Sequence, residues 1–212
     1  MDILEKIKNG REYRKMELNI GDADSYNVRG YATTFNEPYI LYKGKDFRID
    51  EQVDPHAFDN CDMRDVIFQY DHEGRVFART SNDTLKLTPD GHGLEVNAYL
   101  GGTETGRNLY EEIKGGYTNK MSFGFHVNAD DIQEEEQDGY TIYTRTIKGI
   151  DKLYDVSAVS LPANDGTEIS ARSLKDGAIA KLEAERLLKA ERTRAVEALK
   201  DRIDSILGKE SK

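Results

Sequence analysis

A serine can attack a peptide carbonyl when three things meet: room beside its hydroxyl, a neutral imidazole to take the proton, and a carboxylate to orient that imidazole. The stretch Lys120-Met-Ser-Phe-Gly-Phe-His-Val127 offers the first. Read as a strand, it sorts Met121, Phe123, Phe125 and Val127 onto one face and Ser122, Gly124 and His126 onto the other. The apolar face can anchor a sheet core. The opposite face sets a hydroxyl beside a residue with no side chain, which leaves space for a substrate at Ser122.

Four histidines could supply the imidazole. His126 is closest in sequence, but four residues along a strand is about 13 Å at roughly 3.3 Å per residue, so it is carried out of reach of Ser122. His56 and His92 fall in turn-like stretches with little apolar support. His72 follows the compact apolar strand Asp65-Val-Ile-Phe-Gln-Tyr70 and emerges at the polar turn Asp71-His-Glu-Gly74, a position suited to presenting an imidazole. It is the expected base. The orienting carboxylate should sit on a supported strand, which points to Asp155 within Lys152-Leu-Tyr-Asp-Val-Ser-Ala-Val-Ser-Leu161, where Leu153, Asp155, Ser157 and Val159 are expected to share a face. Asp151 is the next carboxylate to consider.

These residues need a sheet to hold them. Strands are expected at Tyr26–Phe35, Phe47–Val53, Asp65–Tyr70, Thr84–Leu87, Gly93–Leu100 and Tyr140–Lys148, with a hairpin turn at Pro89-Asp-Gly-His-Gly93 and a short helical turn at 56–60. Gly101-Gly-Thr-Glu-Thr-Gly-Arg-Asn108 has Arg and Asn where a phosphate-binding loop requires Lys and Ser or Thr. It reads instead as a helix start, capped by Thr103 or Thr105 and ending at Gly115-Gly116. The acidic run from Asp130 to Gly139 lacks the ligand spacing of a calcium loop and is expected to be a solvated hairpin loop. Residues 1–16 fit a short docking helix or a loose arm. Between Ala178 and Leu207 there is neither Gly nor Pro, and Val196, Leu199, Ile203 and Ile206 recur at helical spacing. A helix about 45 Å long follows at about 1.5 Å per residue. The expected organisation is a domain over 1–170 and a helical tail over 171–212.

With 212 residues and 33% charged side chains, the chain suits a globular fold with an appendage. No apolar run approaches membrane-spanning length, and the N-terminus lacks the apolar segment of a secretion signal, so a cytoplasmic origin without membrane association is expected. One cysteine, Cys61, excludes an internal disulfide, and the scattered histidines give no zinc spacing, so no metal or other cofactor is expected. Residues 1–170 hold 19 basic and 32 acidic residues, a balance of −13; residues 171–212 hold 11 and 8, a balance of +3. An acidic body makes nucleic acid an unpromising primary partner.

In order along the chain stand Val28-Arg-Gly-Tyr-Ala-Thr-Thr-Phe35, Tyr70-Asp-His72, Thr84-Leu-Lys-Leu87, Gly93-Leu-Glu-Val96, Gly106-Arg107, Met121-Ser-Phe-Gly-Phe125 and Asp155-Val-Ser-Ala-Val-Ser-Leu-Pro-Ala163. This series, over residues 17–165, resembles the HK97-type prohead (capsid maturation) serine proteases of tailed phages. The resemblance implies an assemblin-like α+β fold, mainly β: a β-barrel with surrounding helices, here extended by a C-terminal helical tail. It implies His72 as base and Ser122 as nucleophile. The third member is usually Glu in that family, so Asp155 departs by one methylene. Oxyanion donors are implied near Ala163 and Asn164. The implied substrate is the capsid precursor, through its scaffolding segment or a separate scaffold protein, with self-cleavage and self-association, inside the assembling procapsid in the host bacterial cytoplasm. A catalytically silent assembly protein on the same barrel is the alternative.

Overall fold

The computed structural model describes residues 12–20, 25–159, 188 and 191–200. The chain divides into two units, Met1–Ser173 and Leu174–Lys212. In the second, residues 191–200 are helical. The remainder of the long helix expected over 178–207, apart from residue 188, lies outside the described residues.

The first unit is mainly β, an α+β fold. Its strands are β1 (Glu12–Ile20), β2 (Asn27–Thr34), β3 (Tyr39–Lys43), β4 (Phe47–Val53), β5 (Ile67–Tyr70), β6 (Glu73–Arg79), β7 (Leu85–Pro89), β8 (Gly93–Tyr99), β9 (Lys120–Gln137) and β10 (Tyr140–Val159), with helix α1 (Glu104–Lys114) between β8 and β9. Hydrogen-bonded neighbours run β3-β4-β10-β9-β1-β2-β8-β7, and the β5–β6 hairpin joins through β5 on β10. Among the described residues these ladders end at β3 and β7, and a barrel closure is not among them.

The apolar face of β9 organises the core. Met121, Phe123 and Phe125 are fully buried with Phe68, Val96, Ala98, Leu109, Val156 and Ala158 in one cluster. The Phe123 and Phe125 rings stack with centroids 4.5 Å apart. Helix α1 starts where Thr103 accepts a hydrogen bond from the Gly106 N–H at 3.0 Å, and it buries Leu109, Tyr110 and Ile113 at helical spacing.

Three expectations change. Residues 12–16, placed with the N-terminal arm, belong to β1, which lies between β9 and β2. The period-2 alternation of Met16-Glu-Leu-Asn-Ile20 outweighs the helical spacing before it. The acidic run 130–137, expected as a loop, continues β9, because a strand exposed to solvent carries charge at no cost in burial. Only Asp138-Gly139 turns. Their φ angles of 53° and 77° are those of a two-residue type I′ hairpin, which Asp-Gly favours. The two strands expected between 140 and 161 are accordingly one, β10, of 20 residues with several register shifts.

Candidate active site

The geometry starts from the register of β9 on β10. Ser122 pairs with Ser157 and Gly124 with Asp155, while Phe123 pairs with Val156 and Met121 with Ala158. Directly paired residues share a face of a sheet, so Ser122, Gly124, Asp155 and Ser157 form one four-cornered patch, opposite the buried aromatic face. This arrangement depends on an irregularity. Leu153 pairs with Phe125 and Asp155 with Gly124, so Tyr154 is an extra residue on β10. Leu153 therefore joins the core face, and Asp155 the face of Ser122. An uninterrupted strand would put Leu153 and Asp155 on the same face, as the sequence suggests; the bulge separates them.

The base arrives from the neighbouring hairpin. β5 runs parallel to β10, pairing Tyr70 with Ala158, and the Asp71 N–H donates to the Ala158 carbonyl at 2.9 Å. The chain then reverses in two residues, with Tyr70 paired to Glu73 and φ of 48° at Asp71 and 60° at His72. Both lie in the left-handed region, where a residue with a Cβ costs about 1–2 kcal/mol. This tight type I′ turn swings the His72 side chain back over the end of β10.

His72 Nε2 lies 2.7 Å from Ser122 Oγ, and His72 Nδ1 is hydrogen-bonded to Asp155 Oδ1. The diagonal between two paired strands is about 7–8 Å, enough for an imidazole between a carboxylate and a hydroxyl. The other two corners, Gly124 and Ser157, are small and leave that space open. Ser122 is 1% exposed, His72 5% and Asp155 1%, so the bonds form where water does not compete. With its proton on Nδ1, the imidazole donates to Asp155 and presents the Nε2 lone pair to the Ser122 hydroxyl. That is the arrangement for general-base activation of an alcohol.

The sequence-expected residues Ser122, His72 and Asp155 are thus brought together. The remaining histidines are elsewhere: His126 Nδ1 contacts Asp151 at 2.7 Å on the exposed surface, His56 pairs with Asp59, and the His92 ring packs edge-on against Tyr31. Asp151, the alternative carboxylate, is accordingly engaged away from His72. Ala163 and Asn164, the implied oxyanion donors, lie outside the described residues. Ser157 adds a contact that the sequence reading did not assign: its hydroxyl donates to Asp155 Oδ1 at 3.2 Å. Its pairing with Ser122 depends on the register shifts along β10, which no local sequence pattern marks. Among the described residues no group of three His, Cys, Asp or Glu is placed to hold a metal, and no helix is long and apolar enough to cross a membrane.

A second buried polar group lies along the same sheet. Glu51 on β4 is completely buried and accepts from Arg14 on β1, from Arg145 Nη1 on β10 at 2.9 Å and from the Tyr39 hydroxyl at 2.5 Å; Arg145 Nε reaches Asp130 at 2.6 Å. Burial, and next the Glu51 carboxylate, push the Tyr39 hydroxyl well above the usual phenol range, which keeps it a donor.

Comparison with known proteins places the sequence. A family model described as caudovirus prohead serine protease matches residues 12–180. No curated protein matches the chain. Among solved structures, the bacteriophage T4 capsid assembly protease, gp21, is similar at 10% identity and a TM-score of 0.36, over 71% of this chain and 99% of that one.

Proposed function

The chain belongs to the caudovirus prohead serine protease family and is a serine protease, and from that premise we propose that Ser122, His72 and Asp155 are its catalytic triad, acting on a capsid precursor. Ser122 Oγ attacks the scissile carbonyl as its proton passes to His72 Nε2. The imidazolium then gives that proton to the leaving amine, and water, activated by the same nitrogen, releases the acyl group from Ser122. Asp155 keeps the Nδ1 proton in place and balances the charge on the imidazolium. Backbone N–H groups near Ala163 and Asn164 serve the oxyanion.

The observation that carries this reading is the continuous contact from Ser122 Oγ through both nitrogens of His72 to Asp155, closed off from solvent on one small-residue patch. Asp in place of the longer Glu is accommodated because Asp155 stands opposite Gly124 and on the diagonal from Ser122. The substrate is the scaffolding segment of the capsid protein or a separate scaffold, and the protease cuts itself as well. It works as a self-associated enzyme inside the procapsid in the host cytoplasm, with no nucleic acid or membrane as primary partner. Residues 171–212 act as a separable helical tail that brings it into the shell or is removed by its own activity.

Intact mass over time tests the reading, using the full chain with its capsid precursor beside a Ser122→Ala form. Wild type should yield discrete fragments of precursor and of itself, and Ser122→Ala none. Equal cleavage by Ser122→Ala overturns the triad. Intact precursor with both forms would instead favour a silent assembly protein.

A further inference from the structure

We propose that Ser157 is a positioning residue for Asp155: its hydroxyl holds the carboxylate in the orientation that receives the His72 Nδ1 proton. The inference rests on the triad reading and extends it to a residue that acts through Asp155.

Three observations converge. First, Ser157 is entirely buried, and Asp155 is 1% exposed. A carboxylate removed from water needs donors, and so does a buried hydroxyl need an acceptor. Among the described residues the side-chain partners of Asp155 are His72 and Ser157, and both bond Oδ1. Second, the register fixes the geometry. Ser157 is two residues beyond Asp155 on the same face of β10, after the Tyr154 bulge, and stands directly across from Ser122. A side chain larger than serine there would enter the space the imidazole occupies, and one without a hydroxyl would leave Oδ1 with the imidazole alone. Third, β10 is hydrogen-bonded on both sides here, to β9 through Ser157–Ser122 and to β5 through Ser157–Gln69. The hydroxyl is therefore held on a rigid element.

The consequence is geometric. A buried carboxylate oxygen held by two donors cannot turn without breaking both bonds, and with the Ser157 hydroxyl removed Asp155 Oδ1 is held by the imidazole alone. The imidazole proton is then less firmly kept on Nδ1, and the Nε2 lone pair is presented to Ser122 Oγ for less of the time.

The experiment reads the ring 15N shifts of neutral His72 in the full chain, assigned by a His72→Gln form, which report the nitrogen that carries the proton, with labelling of Ser122 by a fluorophosphonate in parallel. Ser157→Ala should lower the share of neutral imidazole with its proton on Nδ1 and slow labelling by roughly tenfold, the scale expected for loss of one charge-assisted hydrogen bond. A substitution that merely loosened packing would slow labelling without changing the tautomer. Should Ser157→Ala not fold, Ser157→Cys, closer in volume and a weak donor, should change the tautomer in the same direction by less. An unchanged tautomer in whichever variant folds, with wild-type Ser122 still labelled, overturns the role of Ser157 and leaves the triad standing. A wild-type His72 whose neutral form carries its proton on Nε2, together with an unlabelled Ser122, overturns both.

Discussion

The sheet carries two buried polar groups, and they are built on opposite terms. Around Glu51 every charge is matched: two guanidiniums and a phenol surround the carboxylate, and a second carboxylate completes Arg145. Around Ser122 the polar groups are few and small, and His72 is held in a left-handed conformation that most residues avoid. The Glu51 group joins β1, β3, β4, β9 and β10, and its geometry is that of a fastener. The Ser122 group accepts backbone strain and an irregular strand to place three side chains in line. The strain falls on the group proposed to do the chemistry, and the matched charge on the group that joins five strands.

The largest effect should come from Asp155→Asn. It preserves volume but favours the wrong imidazole tautomer, and a loss of about four orders of magnitude in rate is expected by analogy with serine protease triads. Labelling of Ser122 by a fluorophosphonate measures the loss, and thermal unfolding should show little change beside it. An Asp155→Asn form of normal rate would break the comparison at its functional end, and Asp151 could not then replace it without leaving His126.

Glu51 should behave the other way. Glu51→Ala strips the partner from two buried arginines, and a destabilisation of about 3–5 kcal/mol is expected, read from denaturant unfolding. The rate per folded molecule should be unchanged. Replacing Arg14, Glu51 and Arg145 together with apolar residues of similar volume should recover most of that loss, since no charge is then left unpaired. A Glu51→Ala form that stays stable while losing its rate would reverse the roles assigned to the two regions.

How far the sequence discloses each region follows from the same contrast. Ser122 is legible because Met121, Phe123 and Phe125 alternate with it, and His72 because a short apolar strand ends beside it. Asp155 is legible as a buried carboxylate, but its face is not, since a one-residue bulge at Tyr154 leaves no mark on an alternating pattern already buried on both sides. Ser157 is legible on the face of Asp155, but its place opposite Ser122 depends on the register shifts along β10. The Glu51 group is wholly invisible in the sequence: its partners lie 12, 37 and 94 residues away, and only the pairing of β1, β3, β4, β9 and β10 brings them together. The outer part of the β9–β10 ribbon is missed because seven polar and acidic residues between Ala129 and Asp138, relieved only by Ile132, look like a loop. The Asp138-Gly139 pair is the local signal that marks it as a hairpin.

The smallest expected effect concerns Cys61, which tests whether a buried polar atom outside both regions matters at all. It is partly buried against the core, and burial is the main cause that pushes its thiol up to about 12. A thiol raised that far is almost entirely protonated at pH 8, and only the thiolate is a nucleophile. Iodoacetamide should therefore modify Cys61 very slowly in the folded chain and rapidly in denaturant, with mass spectrometry reading the difference. Reactivity should grow as pH rises toward 12, because the raised value is a property of the folded environment. Cys61→Ala should lower stability by only about 1 kcal/mol, the cost of a small side chain at the edge of a core. Its rate should match the parent, since neither Ser122 nor His72 contacts it. Rapid alkylation of the folded protein at pH 8 would mean that the segment between β4 and β5 opens far more readily than the packing of Phe58 and Cys61 implies.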